Sequence, residues 1–290
     1  METTEDIKLS SRSPLADAWA ELQAHADRGE PLQPAAYRLA YADPEFLLRR
    51  ETRGIRFQLE LLKPDLDLDQ AGVASTIVVY GSARFLPPEQ AAGQLAAARA
   101  SGDAQSLRQA ERDTRNARYY QAAREFGRIV AAHSLTRAPD DRIFICTGGG
   151  PGVMEAANRG AHDVGAPSVG LNIALPHEQS ANQYVTPDLC FKFHYFALRK
   201  MHFTMRARAL VAFPGGFGTL DELFEVLTLV QTRKVKPVPI VLYGRDYWQR
   251  LLNWDMLVQE GAIAPEDLEL FQIVDEPAQA WDVIRTFYDL

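Results

Sequence analysis

Residues 210–225 read LVAFPGGFGTLDELFE and gather the parts of an anion site in one short stretch. The apolar run Leu210, Val211, Ala212 and Phe213 ends at Pro214, Gly215, Gly216 and Gly218 follow, and Thr219 opens a run of helical periodicity from Leu220. Glycines open positive φ and let a ligand approach the main chain. The start of a helix offers free N–H groups and the positive end of its dipole to an anion. Thr219 is placed to cap that helix with its hydroxyl toward the ligand. Asp221 and Glu222 fall in the same first turn. A carboxylate there serves the dipole, but its place beside an anion cradle also suits catalysis.

Two other turns repeat the pattern: Gly81-Ser82-Ala83-Arg84 and Thr147-Gly148-Gly149-Gly150-Pro151-Gly152, each after an apolar run. One glycine turn is weak evidence, because connection geometry alone can demand glycine. Three in one sheet favour a phosphate-bearing ligand. The backbone of Gly149, Gly150, Gly216 and Gly218, with Thr219, is the expected cradle. Gly81, Thr147, Gly148, Pro214 and Gly215 complete the three turns, and Ser82 and Glu155 are candidate contacts. None of the turns has the P-loop spacing or the dinucleotide fingerprint, which disfavours a nucleoside triphosphatase or an NAD dehydrogenase.

The elements that must carry these turns follow from periodicity. Apolar residues Leu15, Ala18, Trp19 and Leu22 recur at helical spacing from Pro14 to Arg28, after a polar start expected to be disordered over residues 1–12. Asp43-Pro44 reads as a helix N-cap and first position, opening a segment that runs to Pro64 with a break at Gly54. Thr76 to Tyr80 is a buried parallel strand. Residues 87–118, rich in Ala, Gln, Glu and Arg, read as a helical hairpin insertion turning near Gly102, its mixed charge facing solvent. Then come a helix from Tyr119 to His133, a strand from Arg142 to Cys146 and a helix after Gly152. Strands follow over Val169–Ile173 and Leu189–Phe193, and then a helix carrying Arg199 and Lys200. Strand Leu210–Phe213, helix Thr219–Val230, strand Val238–Leu242 and helices Tyr247–Leu257 and Pro277–Tyr288 complete the alternation. Apolar strands alternating with helices predict an α/β doubly wound parallel sheet, Rossmann-like, over 71–290. Residues 1–70 form a helical extension. In such a sheet ligands bind outside the carboxyl ends of the strands, where all three turns lie.

GSAR, TGGGPGVMEAANRGA, LPHEQSANQYV, the Arg199–Lys200 pair and PGGFGTLDE with LFEVLTLVQT together resemble the LOG family of cytokinin-activating nucleotide phosphoribohydrolases, long labelled lysine decarboxylases. The resemblance covers Thr76 to about Trp254. It implies hydrolysis of the N-glycosidic bond of a nucleoside 5′-monophosphate, with AMP or an N6-modified AMP as substrate and free base and ribose 5-phosphate as products. It also implies catalytic roles for Arg199 and Glu222, and a homodimer or higher homo-oligomer with sites near the subunit interface. The TGGGPGVMEAA variant and the helical N-terminus look like the longer bacterial branch.

Such a reaction develops positive, oxocarbenium-like charge on the sugar and negative charge on the leaving base. Glu222 is the carboxylate placed to stabilise that cation or position water, with Glu225 one turn later as support. Arg199 has a planar fork of donors for ribose or phosphate, and Lys200 stands beside it. A non-enzymatic nucleotide or molybdenum-cofactor-type carrier is the alternative, since the same turns can hold a ligand without turnover. A pyridoxal-dependent decarboxylase would need a Schiff-base lysine, and of six lysines only Lys200 is near the turns.

The formal charge of −7 disfavours a nonspecific nucleic-acid coat. Six histidines show no ligand spacing such as HExxH, so no metal is expected, nor any cofactor. The start METTEDIKLSSR lacks the apolar core of a signal peptide, and no apolar run is long enough to span a bilayer. Cys146 and Cys190 sit in apolar runs and read as buried reduced thiols, so a cytoplasmic protein is expected.

Overall fold

Strand β1 (Thr76–Tyr80) buries all five of its residues in succession, as its TIVVY run requires of a strand covered on both faces. In the computed structural model, residues 20, 23, 24, 27, 28, 34–175 and 180–290 are described. The expected disorder of residues 1–12 and most of the expected helix 14–28 lie outside them. The chain divides into Met1–Glu60 and Leu61–Leu290, whereas the sequence reading put the boundary at 70/71.

In the first unit, Asp43 caps helix α1 (Pro44–Leu47) by accepting from the amides of Glu45 and Phe46. Helix α2 (Arg53–Gln70) runs across the division and contains Gly54 and Pro64. The interruption therefore falls before Gly54, where the buried Thr52 hydroxyl bonds the carbonyls of Phe46, Leu47 and Arg49. The helix does not stop at Pro64, although an internal proline removes a hydrogen bond and costs about 3 kcal/mol. Beyond it Leu68 is buried, and Arg206 binds the Asp65 and Asp69 carboxylates at 2.6 Å each.

The sheet of the second unit adds β2 (Phe144–Thr147), β3 (Ser168–Ile173), β4 (Cys190–Phe193), β5 (Ala207–Ala212), β6 (Ile240–Tyr243) and β7 (Gln272–Val274). All neighbours are parallel, in the order β4-β3-β2-β1-β5-β6-β7. The chain thus winds outward from β1 in one direction and then from β5 in the other. The fold is the doubly wound α/β sheet, and its topological switch point lies between β1 and β5. The short strand β7 was not foreseen: three residues at a sheet edge carry little pattern.

Helices α3 (Pro88–Ser101) and α4 (Ala104–Leu135) join at Gly102, whose φ of +70° is the left-handed turn expected there. Asp103 caps α4 through the Ser106 amide. No break separates 118 from 119. Helix α4 runs through, and the residues from Tyr119 to Val130 that face the sheet are buried in its core. Residues 87–118 are therefore not a self-contained hairpin.

Helices α4, α5 (Val153–His162) and α10 (Pro277–Tyr288) enclose one core with Ile77 and Val79. The other face, with Val78 and Tyr80, is covered by Leu68 of α2, α6 (Phe196–Met205), α7 (Phe217–Gln231) and Trp248 of α8 (Arg245–Leu251). The expected helix over 247–257 is two, because Asn253 turns its side chain to the Met256 amide and starts α9 (Trp254–Gln259). Cys146 and Cys190 are free thiols, Cys146 buried and Cys190 half-buried. Among the described residues no helix is long and apolar enough to cross a membrane.

Candidate functional site

The three glycine turns meet at the switch point, and Ser82 stitches them together. Its amide donates to the Pro214 carbonyl at 3.0 Å, and its own carbonyl accepts from the Val153 amide at 3.0 Å. The close approach demands glycine at two places. A Cβ on Gly152, whose φ is +72°, would lie 2.3 Å from the Ser82 carbonyl oxygen; one on Gly215 would lie 2.1 Å from the Thr219 hydroxyl. The Ser82 hydroxyl accepts from the Arg84 amide at 3.1 Å, which leaves its proton free for a ligand.

Helix α7 begins at Phe217 with Gly216 as its N-cap. Thr219 is therefore not the cap: it lies inside the first turn, buried against Gly215. Asp221 and Glu222 consequently fall in the second turn, and the first turn carries no acid. An anion at that helix start meets N–H groups without a competing carboxylate.

A cavity of about 1430 Å³ opens over these turns. Of the residues expected from sequence, Gly81, Ser82, Gly148, Gly150, Arg199, Gly215, Gly216, Gly218, Thr219 and Glu222 line it. The others stand behind its wall. Thr147 donates to Asn158 at 2.7 Å and accepts from the Gly149 amide at 2.9 Å, while the Gly149 carbonyl accepts from the Asn182 amide at 2.8 Å. Both are thus committed to shaping the second turn. Pro214 serves through its carbonyl, as above. Glu155 accepts from the Tyr120 hydroxyl at 2.7 Å on the α4–α5 packing. Lys200 binds Asp221 at 2.8 Å and Glu225 at 3.0 Å, bridging α6 to α7.

Arg199 and Glu222 face each other across the cavity floor, 4.0 Å apart, with only 13% and 10% of their side chains exposed. Arg199 Nε donates to the Leu171 carbonyl at 2.6 Å, and its guanidinium lies 5.1 Å from the Phe203 ring centre. Gly148 leaves room for it, since a Cβ there would lie 2.4 Å from the guanidinium. Burial pushes the Glu222 carboxyl up to about 7; the positive charges of Arg199 and Lys200 oppose this without overcoming it. Burial also lowers the Arg199 pKa, against the pull of Glu222. A guanidinium nonetheless stays charged.

Several lining residues escaped the sequence reading. Tyr80, at the end of β1, turns its ring edge onto Phe203, and its buried hydroxyl has no hydrogen-bond partner. Tyr247 donates its hydroxyl to the Gly215 carbonyl at 2.5 Å and braces the third turn from α8. Arg115, Asn116 and Arg118 on α4 also line the cavity, so this stretch is not the merely solvated face expected of it. The aromatic pair Tyr119-Tyr120 next to them was the available signal.

Residues 154–284 match the family model described as a possible lysine decarboxylase. The chain is 27% identical over 173 residues to the probable cytokinin riboside 5′-monophosphate phosphoribohydrolase LOGL2 of Oryza sativa subsp. japonica, covering 58% of this chain and 66% of the relative. It is 30% identical over 155 residues to the cytokinin riboside 5′-monophosphate phosphoribohydrolase LOG of the same plant, covering 52% and 60%. The matched part spans less than two thirds of either relative. The Moco carrier protein of Chlamydomonas reinhardtii is similar at a TM-score of 0.45 and 18% identity, over 74% of this chain and 99% of that one. Arg199 and the PGGFGTLDE turn lie inside the segment that matches the family model, and over part of its length the chain is similar to the LOG phosphoribohydrolases.

Proposed function

We propose that the chain hydrolyses the N-glycosidic bond of a nucleoside 5′-monophosphate, AMP or an N6-modified AMP, to free base and ribose 5-phosphate. The observation that carries this reading is the buried Arg199–Glu222 pair on the floor of a cavity rimmed by three glycine turns. The names of the LOG relatives support it. The open start of α7 and the Gly148–Gly150 turn hold the phosphate. Arg199, fixed by the Leu171 carbonyl and the Phe203 ring, orients the sugar. Glu222, ionised above about pH 7, stabilises the cationic sugar as the base departs and positions the attacking water. The base leaves with the electron pair of the broken bond and takes up a proton, while water supplies the oxygen at C1′.

The protein works as a homodimer or larger homo-oligomer in this reading. Phe196 and Phe217 at the cavity mouth are 53% and 93% exposed, and Met201 and Met205 on α6 are 47% and 46% exposed. A second copy covering them would close the cavity to water. The deciding experiment incubates the protein with purine and pyrimidine monophosphates, with the parent nucleosides as controls, and follows free base by chromatography. Base release from AMP, with Glu222→Gln and Arg199→Ala each slower by about 100-fold or more, is the expected result. Release from no monophosphate removes the reading, and tight nucleotide binding without turnover favours a carrier.

A further inference from the structure

The cavity is larger than the reaction requires. Small-ligand sites usually occupy about 300–1,000 Å³, and one phosphate is met by the glycine turns and the start of α7 alone. The surplus volume is walled by cations. Five arginines line the cavity, Arg84, Arg115, Arg118, Arg199 and Arg250, against three carboxylates, Asp221, Glu222 and Asp246. Of the carboxylates, Asp221 is held by Lys200 at 2.8 Å and Asp246 by Arg250 at 3.5 Å, while Glu222 faces Arg199. Arg84, Arg115 and Arg118 are left without a carboxylate partner among the described residues, in a chain of net charge −7.

These three stand together. Phe85 stacks on Tyr119 with ring centres 5.5 Å apart, which brings Arg84 of the first turn beside α4. Arg118 lies over the Tyr119 ring at 4.7 Å and donates to its hydroxyl at 2.9 Å. Arg115 lies one helical turn earlier, on the same face. Arg84 is two residues from Ser82, so the cluster adjoins the phosphate cradle. Exposed guanidiniums without carboxylate partners, one of them ordered over the Tyr119 ring, suit the bidentate capture of a phosphoryl group.

We propose that Arg84, Arg115 and Arg118 form a second anion subsite beside the glycine cradle, which takes the second phosphoryl group of a nucleoside 5′-diphosphate. The inference rests on the reading above in placing the first phosphate in the cradle, and it makes diphosphates tight competitors of the monophosphate. No bond is made or broken at the subsite.

The test is calorimetric binding of AMP, ADP and pyrophosphate to Glu222→Gln protein, with a chelator present so that no divalent cation masks the phosphates. ADP is expected to bind about tenfold or more tighter than AMP, and pyrophosphate alone more weakly than ADP. Replacing Arg84 and Arg115 together by alanine brings ADP to the AMP level and changes AMP binding less than about twofold. Retained AMP binding shows that the variant is folded, and Arg115→Glu alone is expected to weaken ADP selectively. ADP binding no tighter than AMP overturns the subsite, as does a double variant that weakens both nucleotides alike. Pyrophosphate binding as tightly as ADP overturns it too, since the site would then read a free anion. These outcomes leave the hydrolysis reading standing; absence of base release in the monophosphate assay sinks hydrolysis and leaves the subsite.

Discussion

Glu222 sets the pH behaviour of the site. Its carboxyl is held near 7 because burial outweighs the pull of Arg199 and Lys200, and the proposed hydrolysis needs the ionised form. kcat/KM for AMP is therefore expected to rise about tenfold per pH unit up to a bend near 7 and to level above it; a bend at 4–5 would mean that the carboxyl is solvated. The same shift acts on stability. Between the unfolded carboxyl's value of 4.5 and the folded value of about 7 the native state binds the extra proton, so unfolding free energy falls as pH rises through that window. Glu222→Gln removes this dependence. Above pH 7 it should be more stable than the parent, on the order of 2 kcal/mol, measured by denaturant titration at pH 5 and 8. Glu222 and Arg199 stood out singly because both sit in short motifs of distinctive composition; their approach to 4.0 Å was not legible, since it depends on how α6 packs beside α7. Tyr80 was not: a tyrosine closing a TIVVY run looks like any core residue until the sheet shows which strand end it occupies.

Between elements, the contact that matters most to the site is the Lys200 bridge from α6 to α7. Lys200 touches no part of the cavity, yet it joins the helix carrying Arg199 to the one carrying Glu222, through Asp221 and Glu225. Lys200→Met removes a positive charge that lowers the Glu222 pKa. It also leaves two carboxylates whose charges raise it. The bend in the kcat/KM profile is expected to move to higher pH, and Lys200→Arg to restore it; an unmoved bend would show that the bridge only holds the helices. The sequence placed Lys200 and Glu225 near the chemistry but could not tell contact with substrate from contact with each other, since that depends on how α6 crosses α7. Helix starts were misread for a related reason. Thr219 is a good cap by type, but the chain enters the helix at Gly216, after Gly215 has packed against Ser82 and the Thr219 side chain.

For the molecule as a whole, sheet class and strand sequence were readable because strands buried on both faces leave apolar, non-alternating runs. The edge strand β7 and the length of α4 were not, because neither a three-residue strand nor a long alanine-rich helix announces its bounds. Met201→Asp with Met205→Asp places charge on the exposed face of α6 without touching the cavity lining. Sedimentation of the parent as a dimer or larger, and of the variant as a folded monomer, is expected; a monomeric parent, or a variant with unchanged mass, refutes an interface there.

Ser82 spends its amide on one neighbouring loop and its carbonyl on another. A single peptide unit on each side of this serine thus ties the rims of β1, β2 and β5 into one rigid collar. Whatever tightens any loop of that collar should slow amide exchange at Ser82 and Val153 together, even when the ligand touches neither.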